Sequence, residues 1–258
     1  MNRSMTRKGK GYGSSMTSQN KVQFNPFRRS AMHQKHLELG ASMVDRDGWQ
    51  QPSIFVSVEA DCNRLQETVG IIDISRQTKF SIKGAQLDQF IPRVFSGSSI
   101  AGIGESNMED FIDEKVTLCR LVGDEILCVA PATLATRLAE ALSHDFGQCA
   151  HALELTSGLA GIGIAGPEAT RLLSMISELN TSVSAFSNLR CAQSKFADIH
   201  GVILRNDIGS LLGYQLYFGR EFGEYLWETI LEAAGVCGGG PVGFEALDAI
   251  AGQDASAA

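Results

Sequence analysis

Apolar and polar residues nearly alternate from Asp73 to Lys83. Ile74, Phe80 and Ile82 are apolar, while Asp73, Ser75, Gln77, Lys79, Ser81 and Lys83 are polar. A period of two predicts a half-buried strand, Gly70-Ile71-Ile72 reads as its entry, and Gly84 ends it as a turn glycine does. Two apolar runs at 116–122 and 125–130 flank Gly123-Asp124, the pattern of a hairpin. Further strands are predicted at 150–155 and 160–165, and a paired set at 199–205 and 213–218. Apolar residues at helical spacing predict helices over 58–69, 86–95, 133–142, 167–178, 221–234 and 244–250. Near the start, Ser30 predicts the cap of a short helix that Gly40 ends. Segments 96–110 and 182–190 read as loops, and 238–241 as a flexible turn.

Composition narrows the class. At 258 residues, with 44% hydrophobic and 20% charged, the chain has the balance of a globular protein. No apolar run approaches the about 20 residues of a membrane span, so no membrane is expected. Net charge is −7, unevenly spread. Residues 1–37 hold eight Lys/Arg and no acid, leaving 14 basic and 29 acidic residues for the rest. So acidic a body predicts no nucleic-acid partner. Residues 1–24 are Ser-, Gly- and Lys/Arg-rich and predict a disordered basic leader, with Met1, Met5 and Met16 as competing starts. Six cysteines show no Cys-x-x-Cys and no Cys/His cluster, which predicts reduced structural thiols in a cytoplasmic protein.

Three patterns invite chemistry. Gly161-Ile162-Gly163-Ile164-Ala165-Gly166 is a formal GxGxxG, but its glycines alternate with apolar residues inside a strand. No acid lies between Glu178 and Asp198 to read a ribose, so a dinucleotide site is not expected. His33 and His36 stand three apart, without a visible third metal ligand; exposed or capping roles are expected, and no metal site. The acids Glu105, Glu109, Asp110, Asp113 and Glu114 read as a solvated loop, with acid–base or metal chemistry as the alternative.

An ordered set of motifs carries a family resemblance. Gly70-Ile-Ile-Asp-Ile-Ser75 with Lys79-Phe-Ser-Ile-Lys-Gly84, the Gly48-Trp49 opening, the 116–130 hairpin, Gly166-Pro167, Gly213-Tyr214-Gln215-Leu216-Tyr217 and Gly243-Phe-Glu-Ala-Leu-Asp248 follow in order. Residues 27–250 thus resemble the N-terminal, folate-binding portion of the glycine-cleavage T-protein (aminomethyltransferase) family. The resemblance implies an α+β fold of antiparallel sheets with packed helices, a folate-binding-type domain over 25–251 and a tail at 252–258. It also implies that the family's C-terminal barrel is lacking.

The resemblance further implies tetrahydrofolate as cofactor and transfer of a one-carbon group from an amine-type donor. Asp113 matches the family's acidic pair at the hairpin and is the catalytic candidate. Gln77 falls where the family places a residue over the folate, and Tyr214 and Gln215 hold its Tyr-Glu pair with the acid made neutral. The pterin-clamping Glu corresponds to Leu211, the closing Arg to about Ala251, its neighbouring Glu to about Gln253, and an expected acid to the acid-free 96–99. Loss of these groups points to a degenerate or partner-dependent member of one-carbon metabolism. A larger partner subunit would supply the missing domain or the amine oxidation. The alternative is an active tetrahydrofolate-dependent aminomethyl- or methyltransferase using shifted acids such as Asp113. The superfamily's iron–sulfur maintenance branch is not matched, since its Lys-Gly-Cys-Tyr-like motif has no counterpart at Arg190-Cys191-Ala192-Gln193.

Overall fold

A computed structural model describes residues 28–95, 99–143 and 150–257, with side chains as far as 252. The basic leader at 1–24 lies outside the described residues. In chain order the elements are β1 (Arg28–Arg29), α1 (His33–Glu38), β2 (Ser42–Arg46), β3 (Trp49–Ile54), α2 (Val58–Glu67), β4 (Gly70–Asp73), β5 (Thr78–Lys83) and α3 (Leu87–Val94). Then follow β6 (Ser106–Phe111), β7 (Glu114–Val122), β8 (Glu125–Ala130), α4 (Ala135–Ser143), β9 (His151–Glu154), β10 (Leu159–Ala165) and α5 (Ala169–Ile176). The chain ends with β11 (Cys191–Phe196), β12 (Ile199–Arg205), β13 (Gly213–Gly219), α6 (Gly223–Val236), β14 (Gly240–Pro241) and α7 (Phe244–Ala257).

Two sheets carry the architecture. The central one runs β11-β12-β13-β10-β4-β14 and the second runs β6-β7-β8-β5-β9; β1-β3-β2 forms a small third. Pairing is antiparallel within the two large sheets except where β14 joins β4. Strand alternation sorts each sheet's residues. On the central sheet Ile162, Ile164, Leu216 and Phe218 pack under Leu172 of α5 and Trp227 and Ile230 of α6. On the second sheet Phe80, Ile82, Leu118 and Cys128 pack under Phe90 of α3 and Leu138 of α4. The opposite faces meet each other, with Cys119, Leu127 and Val129 against Cys191, Leu204 and Tyr217. The result is helix, sheet, sheet, helix, each apolar face buried once.

The expected single strand over 70–83 is two strands in two different sheets. A turn at 74–77 separates them: Ile74 N–H bonds Gly161 O, Gln77 N–H bonds Ile74 O, and Asp73 Oδ1 accepts from Ser75 N–H. Polar–apolar alternation runs on through such a turn, so the pattern cannot see it. Strands β6 and β11 lie in or beside segments expected as loops. Both are edge strands of their sheets, joined to each other at their start where Ser106 N–H bonds Leu189 O and Cys191 N–H bonds Gly104 O, and most of their residues are partly or fully open to solvent, so neither needs an apolar stripe. The last helix runs on to Ala257, through most of the expected tail. Ser30 does not cap α1; Met32 holds the cap position, and Ser30 offers its backbone carbonyl to His33 N–H. Gly40, at φ +78°, does end that helix. No helix among the described residues is long and apolar enough to cross a membrane.

One carboxylate anchors α7 against the rest. Asp61 of α2 is fully buried, and its Oδ2 accepts from Phe55 N–H at 3.1 Å and Gly243 N–H at 3.0 Å. A Cβ on Gly243 would fall on the Ser53 carbonyl, so only glycine fits there. Gly243→Ala is expected to destabilise by about 2–3 kcal/mol, the usual cost of overpacking. Gly235→Ala, in α6 with open space around it, should be neutral or stabilising by up to about 1 kcal/mol. Urea unfolding of both variants checks this; equal midpoints would refute the packing argument.

Candidate functional site

A cavity of about 160 Å³ opens on the sheet-facing side of β10. Its floor exists because Gly163 has no side chain; a Cβ there would already touch Ile72 and Ile74. Alternate glycines at 161 and 163 keep this face bare, while Ile162 and Ile164 point into the helix-side core. Gly166, at φ +130°, closes tightly over the Leu65, Thr68 and Val69 backbone. The formal GxGxxG is therefore a spacer within a strand, as expected. Ile72, Ile74, Phe244 and Leu247 give apolar walls, and Arg76, Gln77, Asn206, Gln215 and Asp248 supply the polar groups.

The fold brings two of the sequence candidates together. Gln77, on the β4–β5 turn, and Gln215, on β13, each place Oε1 2.7 Å from the Tyr217 hydroxyl. The hydroxyl has one proton, so one amide must instead turn its nitrogen to that oxygen. Burial pushes the Tyr217 phenol well above its ordinary value, and it stays neutral. Tyr217 was not singled out from sequence, although its place two residues after Gln215 puts it on the same strand face. Tyr214 borders the cavity, but its ring lies in the helix-side core and its hydroxyl donates to Thr181 O at 2.6 Å.

Leu211 sits one step away. It bridges to Ile208, which lines the cavity, and packs against the α2–α7 cluster. Asp113 lies in the exposed β6–β7 turn beside Ile112 and does not line the cavity. Its neighbour Glu114 accepts from the Thr133 hydroxyl at 2.6 Å, and its charge is felt at Arg76. Among the described residues, no group of three or more His, Cys, Asp and Glu is placed to hold a metal.

Behind the cavity wall lies a buried polar cluster. His36 is fully buried rather than exposed or capping, and its Nε2 stands 2.9 Å from Asp73 Oδ2. Its ring packs edge-on against Trp227 and Phe55. Burial alone would push the Asp73 carboxyl up, but the bonds from His36 and Ser75 N–H outweigh it and hold the group below its usual range. Lys79 is wholly buried, and its ammonium donates to Ser75 O at 2.7 Å and Gln77 O at 2.8 Å. It ties the two ends of the turn that bears Arg76 and Gln77. Desolvation pulls it down to about 7, with Asp73 opposing and Arg220 assisting. The sequence signal for this cluster is slight: a histidine on a short helix, and a lysine at an alternate position that looked like the solvent face.

At the rim, Arg76 bonds Asp47 Oδ2 and Arg46 bonds Asp248 Oδ2, each at 2.7 Å. Arg46 also lies over the Phe244 ring, 4.4 Å from its centroid. Desolvation and then the Arg46 charge lower Arg76 from its ordinary value, against Asp47, Asp248 and Glu114.

Two titrations follow. Lys79 holds its proton less tightly folded than unfolded, so between its folded value of about 7 and the unfolded value of about 10.4 stability rises with pH. Lys79→Met should flatten that rise in urea midpoints measured from pH 6 to 10; an unchanged slope would refute the assignment. Asp73, held low, contributes above its unfolded pKa and loses that contribution as pH falls through the folded value. Asp73→Asn should cost about 3 kcal/mol at pH 7, with the gap to the wild type closing in acid.

The GCVT N-terminal domain model matches residues 32–251. The chain is 24% identical over 229 residues to an aminomethyltransferase of Thermotoga petrophila, covering 86% of this chain and 62% of that one. It thus spans just under two thirds of such relatives. By structure it is similar to the glycine cleavage system aminomethyltransferase T of Bartonella henselae, with a TM-score of 0.76, 18% identity, and 87% and 62% of the two chains covered. It is also similar to a chain of the heterotetrameric sarcosine oxidase of Corynebacterium sp. U-96, with a TM-score of 0.57, 16% identity, and 81% and 95% covered. The α+β architecture of antiparallel sheets and packed helices is the one these folds share, and with the model match across most of its length the chain belongs to the GCVT N-terminal domain family.

Proposed function

We propose that this chain is a folate-binding-type member of one-carbon metabolism that lacks the family's own acid–base chemistry and works with a larger partner. One observation carries the reading: both carboxylates on the cavity wall are already paired within the protein, Asp73 with His36 and Asp248 with Arg46. Neither stands ready as a base or as a clamp for a donor-rich ring edge. The position of the family's clamping acid is Leu211, which packs against apolar neighbours. The likeness to a chain of a heterotetrameric oxidase, nearly all of which is matched, supports a partner subunit. Tetrahydrofolate is the expected ligand by family membership, and Gln77, Gln215 and the Tyr214 segment are the expected contacts.

A second reading, an active tetrahydrofolate-dependent aminomethyl- or methyltransferase, has one observation in its favour. The β6–β7 turn that carries Asp113 also carries Glu114, whose charge reaches Arg76 on the cavity wall. Under this reading Asp113→Asn abolishes turnover of a small amine donor with tetrahydrofolate.

Calorimetric titration and a turnover assay decide between them. The first reading expects micromolar tetrahydrofolate binding, no turnover by the chain alone and co-purification with a larger protein. Leu211→Glu should then restore the clamp and tighten binding by roughly tenfold. Amine-dependent folate alkylation by the isolated chain would end the first reading in favour of the second.

A further inference from the structure

The polar groups left open in the cavity differ in kind from those already used. The carboxylate acceptors are already paired. Asp73 gives Oδ2 to His36 and Oδ1 to Ser75 N–H, and Asp248 at the exposed rim is paired with Arg46. The side-chain oxygens of Gln77 and Gln215 converge on Tyr217. Only one of the two amides can turn over, because the hydroxyl needs an acceptor for its single proton. One amide therefore keeps its NH₂ free of that hydroxyl and the other its oxygen, both on residues that line the cavity.

Donors remain open at Arg76 as well. A guanidinium carries five N–H groups. Among the described residues Arg76 spends one, on Asp47 at 2.7 Å. Its side chain is only 22% exposed, so the others are drawn partly out of water into the cavity wall. The rim charges cancel in pairs, Arg76 with Asp47 and Arg46 with Asp248. What a ligand meets is a nearly neutral frame with unspent N–H groups, beside apolar walls. A forked guanidinium edge of this kind is matched by a carboxylate.

We propose that the cavity holds its ligand through a carboxylate, docked on Arg76 and the neighbouring Gln77 amide. This deepens the folate-type reading without depending on it, because the carboxylate has two possible sources. One is the glutamyl tail of a folate, and the other is the acid group of a small amino-acid donor. The Arg76 position is set by the β4–β5 turn and its Lys79 tie, so the guanidinium is positioned before any ligand arrives.

The test is calorimetry on the full chain with three probes: tetrahydrofolate, 6-methyltetrahydropterin, which lacks the tail, and N-methylglycine. If the tail is the source, tetrahydrofolate binds roughly ten- to a hundredfold more tightly than the tail-free pterin, the usual value of charge-assisted hydrogen bonds, and Arg76→Met closes that gap. If the donor is the source, N-methylglycine binds the wild type and is lost in Arg76→Met. Should that happen while neither pterin binds, the carboxylate handle stands and the folate reading falls. Asp47→Asn, which releases the guanidinium and removes a competing carboxylate, strengthens binding of the carboxylate probe in either case. The proposal is overturned if the tail-free pterin binds as tightly as tetrahydrofolate while N-methylglycine does not bind. It is equally overturned if Arg76→Met, with unaltered thermal unfolding, leaves carboxylate affinity unchanged, if Asp47→Asn weakens it, or if no probe binds the wild type.

Discussion

Asp73 is a carboxylate taken out of water, and its charge has to be matched inside the protein. Its partners come from three places in the chain: His36 from α1, the Ser75 amide from the turn beyond β4, and, at longer range, the Lys79 ammonium from β5. A buried charge left without such partners costs several kcal/mol. The cluster therefore fixes how α1, the central sheet and the β4–β5 turn sit on one another. Lys79 extends the constraint into the second sheet, since it donates back across the turn to Ser75 and Gln77. The turn is the single covalent step between the two sheets at this point, and it carries Arg76 and Gln77 to the cavity.

The cavity results from the same economy of space. A strand of glycines alternating with isoleucines has one face that packs and one that is bare. The packed face takes α5 and α6. The bare face cannot be filled by the second sheet along its whole length, and α7, anchored through Asp61 and Gly243, closes the other side. Between them remains a pocket whose carboxylates are paired and whose Arg76 guanidinium keeps N–H groups open. A fold hosts many functions, so the argument about ligand rests on those donors.

Periodicity was a good guide where a residue's neighbours lie on its own element. The 116–130 hairpin, the β12–β13 pair, the strand reading of the GxGxxG segment and the helices predicted over 167–178 and 221–234, which form over 169–176 and 223–236, were legible for that reason. The ordered motifs also identified the family. Gln77 and Gln215 were candidates from the sequence and both line the cavity, but their link through Tyr217 was not legible, because side chains 140 positions apart share a hydroxyl only once β13 and the β4–β5 turn are placed together.

What the sequence determined by itself is local: the alternation that makes strands, the glycine turns, the acidic body, and the ordered motifs that mark the family. Where the strand over 70–83 breaks, that His36 is buried, that Lys79 faces inward and that Asp113 stands off the cavity were decided only by the tertiary structure. Each depends on which surface is covered by a distant segment. Burial sets whether a polar side chain is solvated, paired or strained in its protonation, and nothing in the spacing of residues along the chain encodes that environment.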